Sequence, residues 1–172
     1  ESPEERLRLA ELNLQAGQKA RAAAAYAAAV SYLRTGMELL PPDHWENHYQ
    51  LSVALHQERS ICEYLTNNTE AAEELFDTLL QHTQSQLEKA EVYIARINLY
   101  VSLGRFNEAL ETGKIGLALF NINFPTEPEQ IQAAVGGALG MIQQNLEGRT
   151  PAELLDAPEL TDPEKRMTMR LL

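Results

Sequence analysis

Six short runs constrain this chain to helix before any other property is weighed: SPEE at Ser2, DHWE at Asp43, TQSQ at Thr83, TEPE at Thr126, TPAE at Thr150 and TDPE at Thr161. In each, a side-chain oxygen at the first position bonds a free backbone N–H of a nascent helix. The acidic or amide residue three positions later bonds back. Between these starts apolar residues recur at three and four, as at Leu51, Leu55, Cys62 and Leu65, or Leu75, Leu79 and Leu80. A half-buried strand would need a period of two. The pattern predicts helices over 3–15, 18–40, 44–65, 69–82, 85–103, 106–120 and 127–146, a short one near 151–155 and another from 163. No strand is expected.

Connections this short fold sequential helices back as antiparallel hairpins. Three segments share an internal order: LQAGQKARAA from Leu14, LTNNTEAAEEL from Leu65 and SLGRFNEALE from Ser102. Each has a turn residue (Gly17, Asn67, Gly104) and a small residue five later (Ala22, Ala72, Ala109). An aromatic follows four further on in two of them (Tyr26, Phe76), whereas the third has Gly113. The turn residue reverses the chain at positive φ, and the small one admits a close approach of the two helices.

These segments, with Tyr93 and Tyr100 before the third turn, resemble tetratricopeptide repeats, although their spacing is uneven and longer than the ideal ~34 residues. The resemblance implies an all-α fold, a right-handed stack of antiparallel helix hairpins. Such an α-solenoid would hold about three repeats plus C-terminal helices. Residues 1–125 would be repeats and 126–172 capping helices. A single hairpin cannot bury its own apolar face, so about three are needed for a stable stack.

Composition excludes several partners. With 14 Lys plus Arg against 25 Asp plus Glu, the formal net charge is -11. Such a surface repels phosphate backbones and anionic lipid, so neither nucleic acid nor membrane is expected to bind. No apolar run approaches the ~20 residues of a membrane-spanning helix. The opening ESPEERLRLAEL is charged and unlike a secretory signal. One cysteine, Cys62, allows no internal disulfide and suits a reducing cytoplasm. The closing DPEKRMTMRLL starts a helix without ending it, so the chain reads as a piece of a larger protein.

The runs AYAAAVSYLRTGMELLPPDHWENHYQLSVALHQERSICEYL, EAAEELFDTLL, LYVSLGRFNEALETGKIGLALF and GRTPAELLDAPELTDP carry a second resemblance. They are similar to the helical-repeat region of large bacterial signalling kinases of cyanobacterial type. Residues around Trp45, His48, Tyr49, Glu63 and Tyr64 carry much of it. In that family a Ser/Thr kinase-like domain and a P-loop ATPase domain precede the repeats, and GAF and histidine-kinase domains follow. The resemblance implies a non-catalytic interaction or spacer module linking ATPase to sensor and kinase domains. Its partners would be neighbouring domains or a second subunit. The alternative is a helical domain that contributes to a hydrolase-like active site without a recognisable motif.

Residues of the kinds that carry chemistry elsewhere read as structure. His44 and His48 in HWENH stand four apart, a spacing that serves zinc, but no third ligand is identifiable and Glu46 faces away. AVGGALG at 134–140 lacks the spacing and the following Lys-Ser/Thr of a phosphate loop. Gly136 and Gly140, like Gly113 and Gly116, are expected to admit close helix crossings. Cys62 lies on an apolar face without a positioned histidine, and Asn67-Asn68-Thr69 reads as a turn and helix cap. No catalytic residue, metal ligand, cofactor or small-molecule substrate is assigned.

What remains is a surface. In tetratricopeptide arrays the first helix of each hairpin lines a concave groove. The resemblance puts Leu7, Glu11 and Leu14 there from the first copy, Gln57, Ile61 and Tyr64 from the second, and Ile94, Asn98 and Val101 from the third. None is basic, and most are apolar. Two readings stay open: the strip is covered by another helix of the chain, such as that from Glu127, or it receives an apolar helix of a partner.

Overall fold

The computed structural model describes residues 2–125, 127–146, 148 and 159–172. Among them every regular element is helical: α1 (Pro3–Ala22), α2 (Tyr26–Glu38), α3 (His44–Asn47), α4 (Tyr49–Leu65), α5 (Thr69–His82), α6 (Gln86–Ser102), α7 (Phe106–Ala118), α8 (Pro128–Leu146) and α9 (Pro163–Leu171). The capping box at Ser2 forms as expected, its hydroxyl accepting from Glu5 N while Glu5 bonds back. Two others shift. Ser85 rather than Thr83 caps α6, paired with Glu88, because Thr83 closes α5 in an extended conformation. Asp162 rather than Thr161 caps α9, accepting from Glu164 and Lys165. Asp43 makes no cap bond and instead accepts from the Asn47 side chain at 2.6 Å. The boxes at Thr126 and Thr150 and the helix near 151–155 lie outside the described residues.

The larger correction concerns the first hairpin. Gly17 is not a turn; α1 runs through it to Ala22, and the chain reverses at Ala24 with φ 57°. Asn67 (φ 65°) and Gly104 (φ 71°) do the same after α4 and α6, and Asn121 (φ 59°) after α7. All four helices end in one hydrogen-bonding pattern. The N–H of the left-handed residue bonds three back and the next N–H bonds five back: Ala25 to Ala20 (2.9 Å), Asn68 to Glu63 (2.8 Å), Arg105 to Tyr100 (2.8 Å), Ile122 to Leu117 (3.1 Å). This Schellman closure satisfies carbonyls that a helix end would otherwise strand.

With Ala24 as the turn, the hairpins align. The small residue five later is Ala29, Ala72 or Ala109, each buried, while Ala22 is exposed. Nine after the turn come Leu33, Phe76 and Gly113; seven before it come Gly17, Ser60 and Ile97. Bulk is exchanged between these two positions. A β-carbon on Gly17 would sit 2.6 Å from Leu33 Cγ, so only glycine admits Leu33 there. In the third hairpin the glycine is Gly113, and Ile97 of the facing helix fills the space. Close packing tolerates either arrangement and penalises two large residues at once.

Hairpins α1–α2, α4–α5 and α6–α7 meet in sequence order, α4 packing on α2 and α1, and α6 on α5. One apolar cluster centres on Leu33, Leu55 and Cys62, the next on Phe76, Leu79 and Tyr100, and a third on Ile94, Leu117, Met167 and Leu171. Helix α9 supplies the last two residues by lying against α6 and α7. Its Leu171 reaches the α-carbon side of Gly116, where a β-carbon would stand 2.8 Å away. Among the described residues nothing approaches Gly136, Gly137 or Gly140, so no close crossing of α8 is seen at these glycines.

Candidate interaction surface

The nine strip residues do not form one open face. Leu7 and Leu14 pack, half-buried, on the first cluster, and Ile61 packs on the second, where Tyr64 is buried. Ile94 is buried in the third cluster, covered by Met167 and Leu171 of α9 rather than by α8. Gln57 is half-buried, and Glu11, Asn98 and Val101 are exposed. The turn at Ala24 also changes the first set: the positions equivalent to Gln57, Ile61 and Tyr64 are Leu14, Gln18 and Arg21, not Leu7, Glu11 and Leu14. A basic residue therefore does stand in this register. It is engaged, since Arg21 Nε lies 2.7 Å from Glu58 Oε2, and Gln18 also donates to Glu58 at 3.5 Å. The pair ties α1 to α4.

Several polar groups inside the stack are bound to one another, although the buried Tyr64 hydroxyl has no hydrogen-bond partner among the described residues. The Glu63 carboxylate is almost wholly buried and accepts from Arg59 (3.0 Å) and Asn68 (2.8 Å), with Arg34 of α2 at 3.6 Å. A buried carboxylate is tolerated only with such partners. Across the next junction Glu73 binds both Arg96 and the Tyr100 hydroxyl (2.5 Å). Burial, then that bond to Glu73, raise the Tyr100 hydroxyl above its ordinary value. The Arg105 guanidinium lies over the rings of Tyr64 and Tyr100, 5.5 and 5.0 Å from their centroids.

HWENH is not one helical turn with paired imidazoles. The helix breaks at His48 (φ -133°, ψ 38°), so His44 and His48 do not share a continuous face. His44 turns instead toward His56, with centroids 6.1 Å apart, and Trp45 stacks on His82 at 4.1 Å. Sequence reasoning missed this grouping, because His56 and His82 lie on different helices of the second hairpin. Among the described residues no group of three His, Cys, Asp or Glu is placed to hold a metal ion. Cys62 is fully buried, and desolvation pushes its thiol up to about 11, far from a reactive thiolate. No helix among the described residues is long and apolar enough to cross a membrane.

One apolar cleft of about 860 Å³ opens between α7, α9 and α8. Val101, Phe106, Leu110, Ile131, Val135 and Leu172 line much of it, and Lys114 is its cation. Val101 is thus the one strip residue that borders a cavity described here.

No family model and no solved structure matches the chain. Over 117 residues, 63% of this chain, it is 27% identical to the hybrid signal transduction histidine kinase G of Dictyostelium discoideum. The chain spans 3% of that protein's length. The similarity relates the chain to a signalling histidine kinase.

Proposed function

We propose that this chain is a non-catalytic, tetratricopeptide-like module of a multi-domain signalling kinase, binding and spacing the domains beside it. The recurrence of one hairpin carries the reading: the same turn, the same buried alanine five later and the same exchange of bulk between facing helices. Such repetition suits a scaffold, in which each unit contacts its neighbours and presents a long surface. Similarity to a hybrid histidine kinase supports the signalling context. The bacterial origin, the flanking ATPase and GAF domains and a cytoplasmic setting belong to the same proposal. Partners are protein, with Gln18, Asn98 and Val101 as the exposed part of the strip in the register that the Ala24 turn sets.

Reading the gene on both sides of this segment tests the assignment. P-loop and histidine-kinase motifs in the same frame are the expected result. Calorimetry of the chain with ATP and Mg²⁺ should give no binding heat. Saturable binding, in a reading frame without kinase motifs, would move the assignment to an enzyme.

A further inference from the structure

We propose that α3, the connector between the first two hairpins, is an acid-released strap: protonation of the paired His44 and His56 lifts Trp45 off the second hairpin while the hairpins stay folded. The geometry begins with Trp45, whose indole is stacked on His82 at the end of α5 (4.1 Å, 12°) and tilted against His56 of α4 (4.7 Å). His44 completes the group at 5.0 Å. The indole packs against the apolar cluster of the second hairpin and so ties to it a helix only four residues long.

His44 and His56 lean on one residue. His44 Nδ1 lies 2.7 Å from the Ser52 hydroxyl, and His56 Nδ1 lies 2.7 Å from the Ser52 carbonyl. A carbonyl oxygen only accepts, so His56 Nδ1 carries the proton of the neutral ring, and acid adds the second proton at Nε2. Charged neighbours do not welcome it. His56 faces His44 and His82 together with Arg59 of its own helix. Asp43 and Glu46 favour a charge on His44, whereas His82 and His48 oppose it. At the far edge Tyr49, 6.3 Å from Trp45, donates to Glu88 of α6.

Burial holds His44 below its ordinary value and His56 down to about 4. A released strap returns both rings to water and to ordinary values near 6.5. Below that pH the released form binds protons that the docked form refuses, so docking weakens as pH falls from about 6.5 toward 4. Contacts elsewhere hold the hairpins together meanwhile: α2 packs on α4, and Arg21–Glu58 and Arg34–Glu63 cross the same junction.

Trp45 is the single tryptophan, so its fluorescence reports on the strap directly. Titrating the chain from about pH 8 to about pH 4 should shift its emission to longer wavelength, with a midpoint between the ordinary histidine value and about 4. Far-UV circular dichroism should stay constant through that step. His56→Gln should remove the step or displace it by at least about one pH unit. Should that variant not fold, His44→Gln serves, alongside an NMR titration of the wild-type imidazoles. A flat emission profile, loss of helix in the same step, an unmoved midpoint in the folded variant, or His56 titrating at its ordinary value would each overturn the proposal.

Discussion

Ala24 holds a left-handed backbone that its β-carbon resists, at the position where the two equivalent turns carry asparagine and glycine. That conformation costs a non-glycine residue about 1–2 kcal/mol, partly offset in glycine by greater freedom of the unfolded chain. Ala24→Gly should therefore stabilise the chain by about 1 kcal/mol, raising Tm by roughly 2–4 °C in a protein of this size. A melt in which Tm falls would show that the reversal lies elsewhere. The same residue explains what the sequence concealed. Ala22 to Ala25 is an unbroken alanine run with no turn residue, so Gly17, a residue typical of turns, drew the boundary. Gly17 is there because Leu33 needs its missing side chain, a reason that becomes visible only once α1 and α2 lie together. Asn67 and Gly104, by contrast, stand at real helix ends and were legible.

At the scale of elements, local signals located most helices and missed their associations. Thr69–His82 falls where periodicity put it, because Ala72, Leu75, Phe76 and Leu79 make one apolar stripe. The break between α3 and α4 had no glycine or proline to mark it. It follows from Trp45 and His44 turning toward His56 and His82, contacts between residues far apart in sequence. The partner of the third hairpin was equally invisible. Helix α8 has the more apolar sequence, yet the shorter α9 covers Ile94, using Met167 and Leu171 and an ion pair of Arg170 with Glu91 (2.7 Å). Ile94→Glu would bury an unpaired carboxylate there and should cost several kcal/mol, read as a much lowered Tm at unchanged monomer mass. An unaltered melt would mean that α9 leaves Ile94 open in solution, returning it to the accessible strip.

Across the whole molecule, stability is distributed along the chain. Each of the three clusters is built mainly from neighbouring helices, and the junctions are crossed by polar pairs, Arg21–Glu58 and Arg34–Glu63 at the first and Arg96–Glu73 at the second. Charged groups at these junctions favour one register of neighbours, since a slipped register would take Arg34 away from Glu63 and leave that buried carboxylate only Arg59 and Asn68 of its own hairpin. The central claim is that one hairpin, with one kind of turn, is repeated along the chain. Backbone NMR of the intact chain tests it most directly, through ¹³C secondary shifts and the coupling constants that report φ. The account predicts helical shifts running unbroken through Gly17 to Ala22, and positive φ at Ala24, Asn67, Gly104 and Asn121. A helix that ends before Gly17, or a negative φ at Ala24, would contradict it.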